Sequence, residues 1–140
     1  MSELLALRGV VEATPEAVAA VLLDVRPGGR SPIAVTGTIE ETDVGDQFEV
    51  IQDGAKISVA IDRAARSVTI EGAWWYRGVT SVEPDDRGSL VRFRMFNIAE
   101  GTGWAVRFVS RGPINAAPRQ FADTIARLGE ELGVKSWVDG

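Results

Sequence analysis

The spacing of apolar positions changes several times along the chain, and each change marks a new element. Leu4 to Ala13 reads as a strand that ends at Thr14-Pro15-Glu16. There a threonine can cap orphan backbone N–H groups, proline suits the first helical position, and glutamate complements the helix dipole. Val18, Val21, Leu22 and Val25 then recur at helical spacing, and Arg26-Pro27-Gly28-Gly29 stops this short helix. From Ile33 to about Ile98, β-branched and aromatic residues are divided at short intervals by turn signals, which predicts a meander of six strands. The reversals fall at Val44-Gly45-Asp46, Gln52-Asp53-Gly54, Arg63-Ala64-Ala65-Arg66 and Pro84-Asp85-Asp86-Arg87-Gly88. Phe48 and Val50, then Ile57, Val59 and Ile61, then Val68 and Ile70, then Val91, Phe93 and Met95 alternate with polar neighbours. Such alternation buries one face of the sheet and leaves the other to water.

Ile114, Ala117, Phe121, Ile125, Leu128 and Leu132 step by three or four residues, the stripe of a long amphipathic helix that Gly133 stops. Pro118 fits the first turn of this helix if Asn115 is the cap. Trp104 to Ser110 is compatible with a strand extension, a lip or an early helical turn. The sum is an α+β fold. A curved antiparallel sheet of about seven strands surrounds a long C-terminal helix, with a short helix after the first strand. A twisted sheet of this size curls around a helix laid on its concave side, and such packing readily leaves space at one end.

Composition narrows the chemistry. The length suits one domain over residues 1–140, and 45% hydrophobic with 25% charged residues is ordinary for a globular chain. No apolar run approaches the roughly 20 residues of a membrane helix, and the start lacks a signal-peptide pattern, so the expected location is cytoplasmic, without membrane insertion. There is no cysteine and no histidine, which removes disulfides, thiol nucleophiles, serine–histidine catalysis and zinc-type sites. No metal or cofactor is called for. A net charge of −5 argues against nucleic acid as a partner.

The order of elements resembles the superfamily of START lipid-transfer domains, polyketide cyclases and the birch-pollen allergen, called SRPBCC or helix-grip proteins. The likeness spans nearly the whole chain. It rests on Ala13-Thr14-Pro15-Glu16-Ala17-Val18 opening the first helix, Val44-Gly45-Asp46-Gln47-Phe48 at a hairpin, Arg77 through Pro84 leading into Gly88-Ser89-Leu90-Val91, and the terminal helix. The resemblance implies a single START-like domain with a hydrophobic cavity that binds, carries or occasionally transforms lipids, polyketides, hormones or aromatic compounds.

Strand parity counted from Trp74 to Val82 turns Trp74, Tyr76, Gly78 and Thr80 inward, and Trp75 and Arg77 outward. Two aromatics and a hydroxyl then face the helix, either as plain core or as cavity wall. Asn97 continues the inward parity of Phe93 and Met95, to cap the strand end or to orient a ligand carbonyl. With Trp104, Phe121 and Ile125, these make the candidate ligand-binding set Trp74, Tyr76, Thr80, Phe93, Met95, Asn97, Trp104, Phe121 and Ile125. Arg92 and Arg94 belong to the solvated face, paired with acids such as Glu83. Among Glu41, Asp62 and Glu71, only Glu41, sharing the parity of Val35 and Ile39, points inward. Gly101-Thr102-Gly103 is a gate or simply a turn.

Three functions compete. The first is binding or carriage of a small hydrophobic or aromatic molecule. The second is an enzyme resembling polyketide cyclases or aromatases, working without metal, in which Tyr, Asn, Thr or Glu assists proton transfer. The third is a protein-interaction module whose cavity is filled by side chains, with an outward Trp75 anchoring a homodimer or partner.

Overall fold

A computed structural model of the chain describes residues 2–34, 38–43, 45–52, 54–72, 74–99 and 103–139. The turn residues Val44 and Asp53, and Val35, on which the parity of Glu41 was counted, lie outside them. Strand β1 (Ser2–Val11) leads to helix α1 (Pro15–Leu22), where Thr14 Oγ1 accepts the Ala17 N–H at 3.2 Å, the cap expected from sequence. At the other end of α1, the Ser31 hydroxyl donates to the Leu22 carbonyl at 2.6 Å and satisfies one of the orphan acceptors there. A short 3₁₀ turn, Pro32–Ala34, follows.

The meander comprises β2 (Thr38–Glu41), β3 (Gln47–Gln52), β4 (Ala55–Asp62), β5 (Ser67–Gly72), β6 (Tyr76–Asp85) and β7 (Gly88–Asn97). Helix α2 (Gly103–Val109), helix α3 (Arg111–Leu132) and strand β8 (Ser136–Val138) complete the chain. The sheet has eight strands in the order β2-β3-β4-β5-β6-β7-β1-β8, and all its pairings are antiparallel. The register places Val50 opposite Ile57, Val59 opposite Ile70, Ile70 opposite Gly78, Thr80 opposite Phe93 and Phe93 opposite Leu7. Opposed residues share a face, so these form one apolar surface across the sheet. On the other face Arg92 meets Glu83 at 2.9 Å and Arg94 meets Glu3 at 2.6 Å, the solvated pairing expected from alternation. Asp62 is likewise exposed, and Glu71 pairs with Arg77 at 2.6 Å.

Three expectations need correction. The sheet gains an eighth strand, β8, which pairs Trp137 with Val10 on β1. Helix α3 begins at Arg111 rather than after an Asn115 cap, so Pro118 lies inside the helix, on its exposed side. Proline there withholds an N–H from the Ile114 carbonyl, but its ring points to solvent instead of into the core. Finally, Trp74 and Trp75 belong to the turn between β5 and β6, and the strand starts only at Tyr76. Parity cannot be counted through a turn. Trp75 is therefore the buried tryptophan, 5% exposed, while Trp74 is 51% exposed.

Helix α3 ends in a Schellman motif: Gly133 has φ 66°, its N–H reaches the Glu130 carbonyl, and the Val134 N–H reaches the Gly129 carbonyl at 3.0 Å. Two glycines draw this helix against one edge of the sheet. A Cβ on Gly9 of β1 would stand 2.6 Å from Ile125 Cδ1 and 2.7 Å from Ile125 Cγ1, and a Cβ on Gly129 would collide with Ser136 of β8. The Ser136 hydroxyl donates to the Ile125 carbonyl at 2.8 Å, clasping the same turn. With α3 seated on β1 and β8, the concave surface of β3 to β6 is the side from which the helix stands off.

Candidate functional site

The space left on that side is a cavity of about 580 Å³. Val50, Ile57, Val59 and Ile70 form its sheet wall. Pro113, Ala116, Ala117, Gln120, Phe121 and Thr124 form its helix wall, and Pro32 and Ile33 its rim. Ala116 and Ala117 are small where the helix crosses the strands, so the helix fills little of the space beneath it. Phe93 and Phe121 close one side, with ring centroids 6.3 Å apart and planes tilted by 32°.

Strand β6 supplies the polar part of the wall. Tyr76, Gly78 and Thr80 alternate onto the concave face and all three line the cavity. A Cβ on Gly78 would stand 2.6 Å from the Tyr76 hydroxyl and 3.1 Å from the Phe93 ring edge. The phenol thus lies over Gly78, in space that only glycine leaves free, with its hydroxyl carried along the strand toward Thr80. Burial pushes the Tyr76 phenol above its ordinary value of 10.0, so it is a neutral O–H at physiological pH. Thr80 is 4% exposed, and its hydroxyl makes no hydrogen bond among the described residues. No described side-chain oxygen or nitrogen is sealed away without a partner, so the residual exposure of the Thr80 hydroxyl is toward the cavity.

Among the lining residues, Thr124 uses its hydroxyl on the Gln120 carbonyl at 3.1 Å. Asp123 is the charged one, and its carboxylate is engaged by Arg127 at 2.7 Å. The polar groups left facing the interior are therefore neutral.

Of the nine residues singled out from sequence, Tyr76, Thr80, Phe93 and Phe121 come together around the cavity. Met95 and Ile125 are 1% exposed and pack in the core beside it. Asn97 accepts the Ala99 N–H at 2.9 Å and caps the strand end. Trp74 faces solvent, contrary to its expected inward position, and the side chain of Trp104 lies outside the described residues, although its backbone belongs to α2. Gly101 and Thr102 of the suggested gate also lie outside them. Trp75 is no outward anchor: it packs with Met95, Val106 and Ala117, edge-on to Tyr76 at 5.4 Å. Sequence reading placed Ile57, Val59 and Ile70 on the buried face but did not assign them to the site. Gln120 and Ala116 flank the apolar stripe of α3, and their part in the wall follows from where the helix sits.

A second recess of about 510 Å³ lies beside the end of α1 and holds Glu41, which is exposed rather than inward. Its arginines are neutralised locally. Asp24 engages Arg26 at 2.7 Å and Arg30 at 3.2 Å, and Asp46 engages Arg63 at 2.7 Å. Burial pushes the Asp24 carboxyl up, but the hydrogen bonds from Arg26 and from the amide and side chain of Arg30 outweigh it and leave the group below the usual value of 3.8.

No protein-family model and no curated protein matches the chain. Solved structures do. The chain superposes on the KanY protein with a TM-score of 0.63 at 16% identity, over 95% of this chain and 99% of that one. It superposes on Ara h 8.0201 with a TM-score of 0.52 at 18% identity, over 92% and 98%. At such identities the likeness is one of fold. The eight-stranded sheet, the short early helix, the long C-terminal helix and these two neighbours together show that the chain has the helix-grip fold of the Bet v 1-like, or SRPBCC, proteins.

Proposed function

We propose that the chain is one ligand-binding domain that holds a small, largely apolar molecule between its sheet and its C-terminal helix. The observation that carries this reading is the cavity of about 580 Å³, within the usual range for small-molecule sites of roughly 300–1,000 Å³. Its walls combine aliphatic and aromatic side chains with a few hydroxyl and amide groups, the usual composition of a binding pocket. The helix-grip fold is consistent with such a role, and fold alone does not choose the ligand. Simple binding is favoured over acid–base chemistry because the described lining residues offer neutral hydroxyls and an amide, while their single carboxylate is held by Arg127.

The test is uptake of a neutral apolar fluorophore, N-phenyl-1-naphthylamine. The native protein should bind it with a blue-shifted, enhanced emission. Ala116→Phe, which places a ring in the cavity, should weaken that binding at least about tenfold, the worth of roughly 1.4 kcal/mol. No uptake by the native protein, or equal uptake by the filled variant, would contradict the reading.

A further inference from the structure

The pair of hydroxyls on β6 deepens the proposed function and rests on it. Each two residues from Gly78 on one strand, Tyr76 and Thr80 flank it on the same face, and the absence of a side chain at Gly78 lets the phenol lie along the strand. The Tyr76 oxygen stands within 2.6 Å of where a Cβ of residue 78 would be, which brings it onto the Thr80 side of its own Cα. Neither hydroxyl makes a hydrogen bond among the described residues, and both line the cavity. Both hydroxyls keep exposure toward the cavity and are free to donate to an acceptor that enters it. A ligand oxygen placed on the cavity side, between the two hydroxyls, would accept from both.

Charge sets the second part of the argument. The described wall holds neither Lys nor Arg, and Asp123, already bound to Arg127, is its charged member. A carboxylate or phosphate would enter with no cation of the described wall to meet it. We infer that the molecule held here is an uncharged apolar compound bearing a carbonyl group, its oxygen accepting hydrogen bonds from Tyr76 and Thr80. Tyr76 retains its proton well into alkaline solution, because burial disfavours the phenolate, and so remains a donor throughout the physiological range.

The experiment compares 9-fluorenone with fluorene, two rigid tricyclic molecules of nearly the same shape that differ by a carbonyl oxygen in place of two hydrogens. Affinities are measured by quenching of tryptophan fluorescence, since Trp75 stacks edge-on against Tyr76. The native protein should bind fluorenone about tenfold tighter than fluorene, as expected for one or two neutral hydrogen bonds. Thr80→Val and Tyr76→Phe should each cut this ratio about threefold, with the folding of each variant reported separately by its urea-unfolding midpoint. Thr80→Ser, which keeps the hydroxyl, should retain the native ratio. Fluorene-9-carboxylate should bind more weakly than fluorene. Equal binding of fluorenone and fluorene by the native protein would overturn the hydroxyl pair and leave the apolar pocket standing. Failure of both molecules to bind would overturn the pocket itself.

Discussion

The cavity exists because α3 is pulled toward β1 and β8, and Gly9 is the residue that permits it. Gly9→Ala would add a methyl 2.6 Å and 2.7 Å from two atoms of Ile125, a side chain only 1% exposed. Ile125 is enclosed and has nowhere to withdraw, so the helix or the strand must shift. Forcing an extra methyl into a packed core costs about 1–3 kcal/mol. Replacing a strand glycine by alanine recovers about 0.5–1 kcal/mol of chain entropy, because Gly9 has ordinary strand geometry that alanine can adopt. At mid-range the net loss is about 1.3 kcal/mol. With an unfolding entropy of about 2.1 cal/mol/K per residue, this lowers Tm by roughly 4 °C. Calorimetry and urea unfolding would measure it. The cause is isolated by repeating the change in an Ile125→Ala background, where the two closest atoms are gone, only the Trp137 carbonyl oxygen at 3.2 Å remains near the methyl, and most of the penalty should disappear. A Gly9→Ala protein as stable as the native one, or a penalty that persists unchanged without the Ile125 side chain, would refute a close seam between α3 and β1.

Three further predictions follow from the same geometry. Phe121→Ala removes a ring that is 4% exposed and packed against Phe93; urea unfolding should show a loss of about 3 kcal/mol, the low end for a buried phenylalanine, because the ring already borders open space. Tyr76 is the one tyrosine of the chain, so its ionisation can be followed alone by tyrosinate absorbance. The folded protein should titrate above 10.0, and because the unfolded chain ionises first, stability should fall as the pH rises past 10.0, less so in Tyr76→Phe; a midpoint at or below 10.0 would contradict the burial of the phenol. Asp24 has a folded pKa below its ordinary 3.8, so its contribution is present above that pH and disappears as the pH falls through the folded value; Asp24→Asn should destabilise the protein at pH 7, and the difference from the native chain should vanish in strong acid.

Much of this fold was legible because its strands are regular where alternation was counted. Val59 and Ile61 keep strict period-two burial, Val68 and Ile70 face them across the ladder, and the turns carry Gly, Asp or a positive φ, as at Gly54, Arg66 and Gly88. The Thr14 cap and the Gly133 stop were readable because a single residue type satisfies each backbone requirement. Trp74 and Trp75 were misassigned because a turn interrupts the parity that a continuous strand would have given them. β8 has three residues and owes its place to a partner over a hundred positions away, a pairing no local pattern announces. Pro118 suggested a helix start, yet exposure of its ring lets it sit inside α3. The site was half legible for the same reason. Strand parity turned Tyr76, Thr80 and Phe93 inward and helical spacing did the same for Phe121, but whether a buried residue meets a neighbour or an empty space depends on where the helix rests, and Gly9 and Gly129 decide that.

The central claim is that the space between sheet and helix receives a small molecule. Native mass spectrometry of freshly purified protein, set beside its denatured extract, tests this most directly. One neutral, oxygenated apolar compound retained per chain, and lost from the Ala116→Phe variant, is the predicted result. A bare chain that also takes up neither N-phenyl-1-naphthylamine nor 9-fluorenone would contradict it.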